Sequence, residues 1–82
     1  MAIRVFGADW CPMTKGTRKH LDDMGLSYEY INVEKDENGA EWIRKQNHGK
    51  ERKPTVDVGG SVLPEPSNAQ LDKVLREQNL IE

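Results

Sequence analysis

A single cysteine, Cys11, serves a chain of 82 residues, and it stands directly before a proline. An internal disulfide is therefore excluded, as is a cysteine-rich zinc site within one chain, so the fold must be held by its apolar core alone. Surface scaling lets a chain of this size bury about 60–65% of its unfolded surface. One domain, residues 1–82, is expected, with no room for a second. Pro12 adds a local constraint. Proline is tolerated in a helix only in the first turn, where its missing N–H would have had no partner, so a helix should open at Cys11-Pro12.

The rest of the chain can be laid out around that helix. Ile3-Arg4-Val5-Phe6 is β-branched and aromatic and stops at Gly7, which reads as a first strand. The helix from Pro12 is expected to run to about Met24, with Gly25 as its C′ residue and His20, Leu21 and Met24 as a modest apolar stripe. Ser27 to Val33 reads as a second strand with both faces partly buried. Asp36 is an acceptable N-cap for a helix from Glu37 to about Asn47, in which Ala40 and Ile43 share a face that Trp42 borders, and His48-Gly49 ends it.

After a charged connector, Lys50 to Lys53, Pro54 opens the run Thr55-Val56-Asp57-Val58, and Gly59-Gly60 separates it from Ser61-Val62-Leu63. Two glycines can supply the positive φ that a tight hairpin needs, so these strands are expected to be antiparallel neighbours. Pro64 and Pro66 should keep the following linker extended. Ser67 with Gln70 three residues later forms a capping box, and Leu71, Val74, Leu75 and Gln78 mark one face of a last helix out to about Asn79. The order is βαβ followed by ββα. A right-handed crossover makes the first two strands parallel, and the hairpin extends a mixed sheet, for which the thioredoxin-type α/β fold is the leading candidate.

Charge excludes some partners. Twelve basic and fourteen acidic residues give a net charge of −2 with no long block of either sign. A nucleic-acid binder of this size would be strongly basic with an aromatic-laced groove, so nucleic acid is not an expected partner. Met1 to Phe6 is too poor in apolar residues for the core of a signal peptide, and no stretch approaches the roughly 20 residues that cross a bilayer. No membrane partner is expected, and the cytoplasm is the expected location. His20 and His48 have no ligand-like spacing, and the carboxylates form no motif that separates a paired catalytic site from a solvated surface.

Chemistry concentrates at Cys11. A cysteine that opens a helix meets free backbone N–H groups and the positive end of the helix dipole, which stabilise a thiolate. Such thiols titrate anywhere from about 3.5 to 7.5, against about 8.5 for a free one. The competing reading is a buried small hydrophobe, but the polar Asp9-Trp10 loop and Pro12 favour reactivity. Lys15, four residues on, either adds positive potential at Cys11 or, the more usual case, is solvated.

The segment Ala8-Asp9-Trp10-Cys11-Pro12-Met13-Thr14 at the end of the first strand resembles the active site of the glutaredoxin family. Lys53-Pro54-Thr55-Val56-Asp57-Val58-Gly59-Gly60 is similar to that family's cis-proline loop, last strands and glycine turn, and Leu63-Pro64-Glu65-Pro66-Ser67 fits the opening of its last helix, especially in small bacterial glutaredoxin-like redoxins. The resemblance implies a thioredoxin-like, glutaredoxin-type α/β fold, βαβ-ββα, with a four-stranded mixed sheet and three helices. It implies thiol–disulfide exchange in which Cys11 is the nucleophile, with glutathione or another low-molecular-weight thiol as cosubstrate, no tightly bound cofactor and no metal. The expected protein partners are glutathionylated or disulfide-containing proteins, and a monomer is expected.

Thr14 occupies the place of the resolving cysteine of dithiol relatives, so the scheme must be monothiol. Its hydroxyl is positioned either to bond the Cys11 sulfur or to lie on the helix surface. By the same resemblance Pro54 is cis and packs its loop against the cysteine, and the Lys53 backbone pairs with the bound thiol while its ammonium either attracts a carboxylate or stays in water. Trp10, Pro12 and Met13 would flank the ligand, and Ser67 and Asn68 would border it at the last helix. Trp42 reads as a packing residue of the second helix, Tyr28 and Tyr30 as sheet residues, and Asp57 as a polar exit from the core. Two other functions stand beside this one: an iron–sulfur carrier in which two subunits ligate a cluster through Cys11, and a non-catalytic thioredoxin-fold binding module.

Overall fold

The computed structural model describes residues 2–82. Its elements run β1 (Ile3–Gly7), α1 (Pro12–Asp23), β2 (Glu29–Asn32), α2 (Glu37–Gln46), β3 (Thr55–Val58), β4 (Ser61–Pro64) and α3 (Asn68–Glu77). The four strands form one sheet in the order β2-β1-β3-β4. β1 is parallel to β2 and antiparallel to β3, and β3 is antiparallel to β4. This is the mixed thioredoxin-like sheet that the element order implied.

Alternation along the central strands divides the core in two. Ile3 and Val5 of β1 and Val56 and Val58 of β3 pack with Leu21 of α1 and Leu71 and Leu75 of α3. Phe6 of β1 faces the other way, against Val33 and against Ala40 and Ile43 of α2. Trp42 stacks on Phe6 with ring centroids 4.6 Å apart, which settles it as a packing residue of α2.

Local signals explain the boundaries. Pro12 occupies the first turn of α1, and Cys11 is its N-cap, with extended backbone and no side-chain capping bond. Asp36 caps α2 by accepting from Gly39 N at 3.0 Å, and both halves of the Ser67/Gln70 capping box form. Gly59 and Gly60 both have positive φ, 55° and 97°, in the turn that joins β3 to β4. That left-handed pair is why glycine is needed twice there.

Four expectations are corrected. The second strand is shorter than Ser27–Val33 and spans Glu29–Asn32; Val33 lies just beyond it, its N–H donating to Gly7 O at 2.9 Å. Of the expected α1 stripe, Leu21 is buried in the core and Met24 packs against it, but His20 does not join them, and Thr14 and Thr17 are buried as well. His20 instead meets Asp72 of α3 at 2.7 Å. The Pro64–Pro66 segment is not extended throughout, because β4 continues to Pro64 and Glu65 then turns at φ 46°. Asp57, only 8% exposed, is no exit from the core. It sits opposite Arg4 in the β1–β3 register, accepts from Arg4 Nη2 at 2.6 Å and from Gly60 N at 2.9 Å, and so ties the sheet to its hairpin turn.

Candidate functional site

The sheet gathers distant segments at one edge. Phe6 pairs with Thr55 across the β1–β3 ladder, so the residues after β1 and those before β3 emerge together. Thr55 also pairs with Pro64, which brings in the segment leading to α3. β2 runs parallel to β1, so Glu34 beyond its end arrives at the same place. Ala8 to Thr14 therefore meets Glu34, Arg52 to Pro54 and Pro66 to Asn68, although the last two groups lie 38 residues or more further along the chain.

Cys11 is held there at the start of α1 and is 9% exposed. Its Sγ lies 3.9 Å from the carbonyl oxygen of Lys53, and the Lys53–Pro54 peptide bond is cis, the isomer the resemblance implied. Pro54 is buried beneath the loop. Burial alone would raise the Cys11 thiol pKa. Hydrogen bonding from the Thr14 hydroxyl and from the backbone of Thr14 and Met13, together with the Lys53 charge, outweighs that effect and holds the thiol below its ordinary value.

Thr14 is fully buried, which removes the helix-surface alternative. Its Oγ1 accepts from Ala8 N at 3.4 Å, leaving the hydroxyl proton free for the sulfur. Thr14 therefore acts from beneath the nucleophile rather than as part of an open wall. The sign of its effect is testable. Alkylation requires the thiolate, so its rate rises with pH and levels off above the thiol pKa. Thr14→Val is expected to move the midpoint of iodoacetamide alkylation upward, slowing the reaction at neutral pH while leaving the high-pH plateau intact. A midpoint that stays where it is in Thr14→Val would show that the hydroxyl does not stabilise the sulfur.

The large apolar side chains most exposed among the described residues, Trp10 at 61% and Met13 at 50%, flank Cys11 on either side. Trp10 is held at its indole N–H, which donates to Glu34 at 2.8 Å, and Lys53 Nζ lies 5.7 Å from its ring centroid. Asp9 accepts from the Tyr30 hydroxyl at 2.7 Å. Burial first, and this carboxylate second, push the Tyr30 pKa up to about 12, so it remains a donor at neutral pH. Arg18 of α1 lies 3.9 Å from the centroid of the Tyr30 ring. Tyr30 and Glu34 thus anchor the loop before the nucleophile, a role that their positions in the sequence did not announce. Lys15 is exposed.

A cavity of about 210 Å³ opens beside Met13, lined by Gly16, Thr17, Pro66, Ser67 and Asn68. Ser67 and Asn68 are thus brought to the nucleophile's end of the fold. Part of the α3 N-terminus is already satisfied, however: Ser67 N donates to Gln70 Oε1 and Gln70 N to Ser67 Oγ. Asn68 and Ala69 take no part in those bonds, so their N–H groups are the ones left to face a ligand. Among the described residues no charged side chain lines this cavity; the charge that acts on the Cys11 sulfur is that of Lys53.

Comparisons with known proteins agree with this architecture. The family model described as Glutaredoxin matches residues 3–63. Mycoredoxin 1 of Corynebacterium glutamicum is 37% identical over 54 residues, a match covering 66% of this chain and 66% of that protein, so the chain spans just under two thirds of the relative's length. Among solved structures, the glutaredoxin-like protein NrdH-redoxin from Escherichia coli aligns with a TM-score of 0.73 at 23% identity, over 88% of this chain and 93% of that one. The glutaredoxin of Archaeoglobus fulgidus aligns with a TM-score of 0.75 at 24% identity, over 92% and 86% of the two chains. These two likenesses speak for the fold.

Proposed function

The chain belongs to the glutaredoxin family, and from that premise we propose that it is a monothiol thiol–disulfide oxidoreductase, with Cys11 as nucleophile and glutathione or another low-molecular-weight thiol as cosubstrate. The observation that carries this reading is the state of Cys11: the only thiol in the chain, at a helix N-terminus, with its pKa below the ordinary value.

The reaction needs one protein sulfur. The Cys11 thiolate attacks the small-thiol sulfur of a mixed disulfide, a new S–S bond forms, the old one breaks, and the partner protein leaves as its thiolate. A second molecule of the small thiol then attacks the adduct. It releases the disulfide of two small thiols and restores the Cys11 thiolate, so the two electrons that reduce the substrate come from the cosubstrate. A thiolate stabilised by Thr14 and Lys53 is favoured both as the species present at neutral pH and as the leaving group of the second step.

Trp10, Pro12 and Met13 form the proposed surface on which the mixed disulfide settles. The Lys53 backbone, Ser67 and Asn68 are the proposed polar contacts of the small thiol, and Pro54 packs the loop that carries Lys53. Proteins with an accessible disulfide or glutathionyl group are the proposed partners, met by a monomer. Initial rates measured while the glutathionylated peptide and glutathione are varied together test the scheme. Parallel double-reciprocal lines are expected, because the first product leaves before the second substrate reacts. Intersecting lines would mean a ternary complex, which this mechanism does not contain.

A further inference from the structure

The loop that faces Cys11 is fastened from behind by two buried polar side chains. Asn47, just past the end of α2, and Thr55, the first residue of β3, are both buried. Asn47 Nδ2 donates to Ile43 O at 2.9 Å and to Thr55 Oγ1 at 3.2 Å. Thr55 Oγ1 lies 2.6 Å from Arg52 O. The direction of this chain of bonds follows from its chemistry. Ile43 O can only accept, so the amide must present its NH₂ group, and both of its protons are then used. Thr55 consequently accepts from Asn47 and has its single proton left for the Arg52 carbonyl.

That carbonyl immediately precedes Lys53, whose own carbonyl is 3.9 Å from Cys11 Sγ. Lys53 N–H takes part in no backbone hydrogen bond among the described residues, which leaves it free for an extended ligand. We propose that Asn47 and Thr55 are positioning residues for the exchange reaction, setting the Lys53 backbone at the distance from Cys11 at which a peptide-like disulfide can pair with it. Neither residue touches the substrate. The inference rests on the thiol-exchange reading given above.

Two disulfides of different reach separate this role from a purely structural one. A glutathionylated peptide needs both the nucleophile and the Lys53 backbone, whereas the small aromatic disulfide dithiobis-nitrobenzoate needs only the nucleophile. Thr55→Val keeps the side chain's shape and removes the hydroxyl; Thr55→Ser keeps the hydroxyl. With rates normalised to titrated thiol, Thr55→Val is expected to react about fivefold more slowly with the glutathionylated peptide, the effect of one lost hydrogen bond. Its rate with dithiobis-nitrobenzoate should match the wild type, and Thr55→Ser should restore the peptide rate. If Thr55→Val does not fold, Asn47→Ala, which leaves the hydroxyl but not its anchor, is read by the same pair of rates. Equal slowing toward both disulfides, or toward neither, overturns the positioning role while leaving the exchange reading in place. Wild-type protein that does not react with the peptide overturns both.

Discussion

Cys11→Ser is expected to lower glutathione-dependent reduction of a glutathionylated peptide to the uncatalysed rate, a loss of about a thousandfold or more. A hydroxyl at this position is not ionised at neutral pH, and the hydrogen bonds and charge that favour a thiolate cannot bring it into that range. The same substitution should leave the fold intact. Cys11 is the N-cap of α1, and serine is among the residues that cap best, so Cys11→Ser is expected to be at least as stable as the wild type. Activity is therefore lost without a loss of stability. Steady-state assays beside thermal unfolding read both, and residual turnover in Cys11→Ser would sink the assignment of the nucleophile.

Gly7→Ala should be the most costly small change in the framework of the site. A Cβ built at Gly7 falls 2.5 Å from both Cγ2 and Oγ1 of Thr14. Thr14 is fully buried and cannot swing away, so α1 must shift from β1 or Thr14 must leave its rotamer. Overpacking of this kind costs about 1–3 kcal/mol. It should also raise the midpoint of Cys11 alkylation, because the hydroxyl displaced is one of the groups that hold the thiol pKa down. Thr14→Ala retains only its Cβ, 3.1 Å from the added methyl, so Gly7→Ala should cost less in that background, a coupling that denaturant melts of the four proteins measure. The same cost in both backgrounds would mean that the close approach is not the cause.

What could be read from the sequence was whatever is decided within a few residues. Pro12 placed the start of α1, Gly59-Gly60 placed the hairpin turn, and Ser67 with Gln70 placed α3, because each signal acts through local backbone geometry or a neighbouring N–H. The resemblance around Cys11 and Pro54 added the fold that joins them. What could not be read depends on partners far along the chain. Thr14 reads equally as a partner of the sulfur or as a helix-surface residue, and it is buried where α1 closely approaches the side-chain-free Gly7. Asp57 looks like an exit from the core until the β1–β3 register sets Arg4 opposite it. Asn47 and Thr55 read as a helix end and a strand start, and only their spatial meeting makes them one chain of hydrogen bonds. Glu65 at φ 46° has no sequence signal of its own, since the left-handed turn is imposed by the run from β4 back to α3.

The central claim is that one sulfur carries the whole exchange cycle. Intact-mass measurement tests it most directly: reduced protein is mixed with a glutathionylated peptide, the adduct is followed in time, and glutathione is then added. The account predicts a rapid gain of one glutathionyl group on Cys11 with release of the free peptide thiol, followed by return to the unmodified mass as oxidised glutathione forms. A protein that stays unmodified, or an adduct that glutathione does not remove faster than in the absence of catalysis, would contradict it.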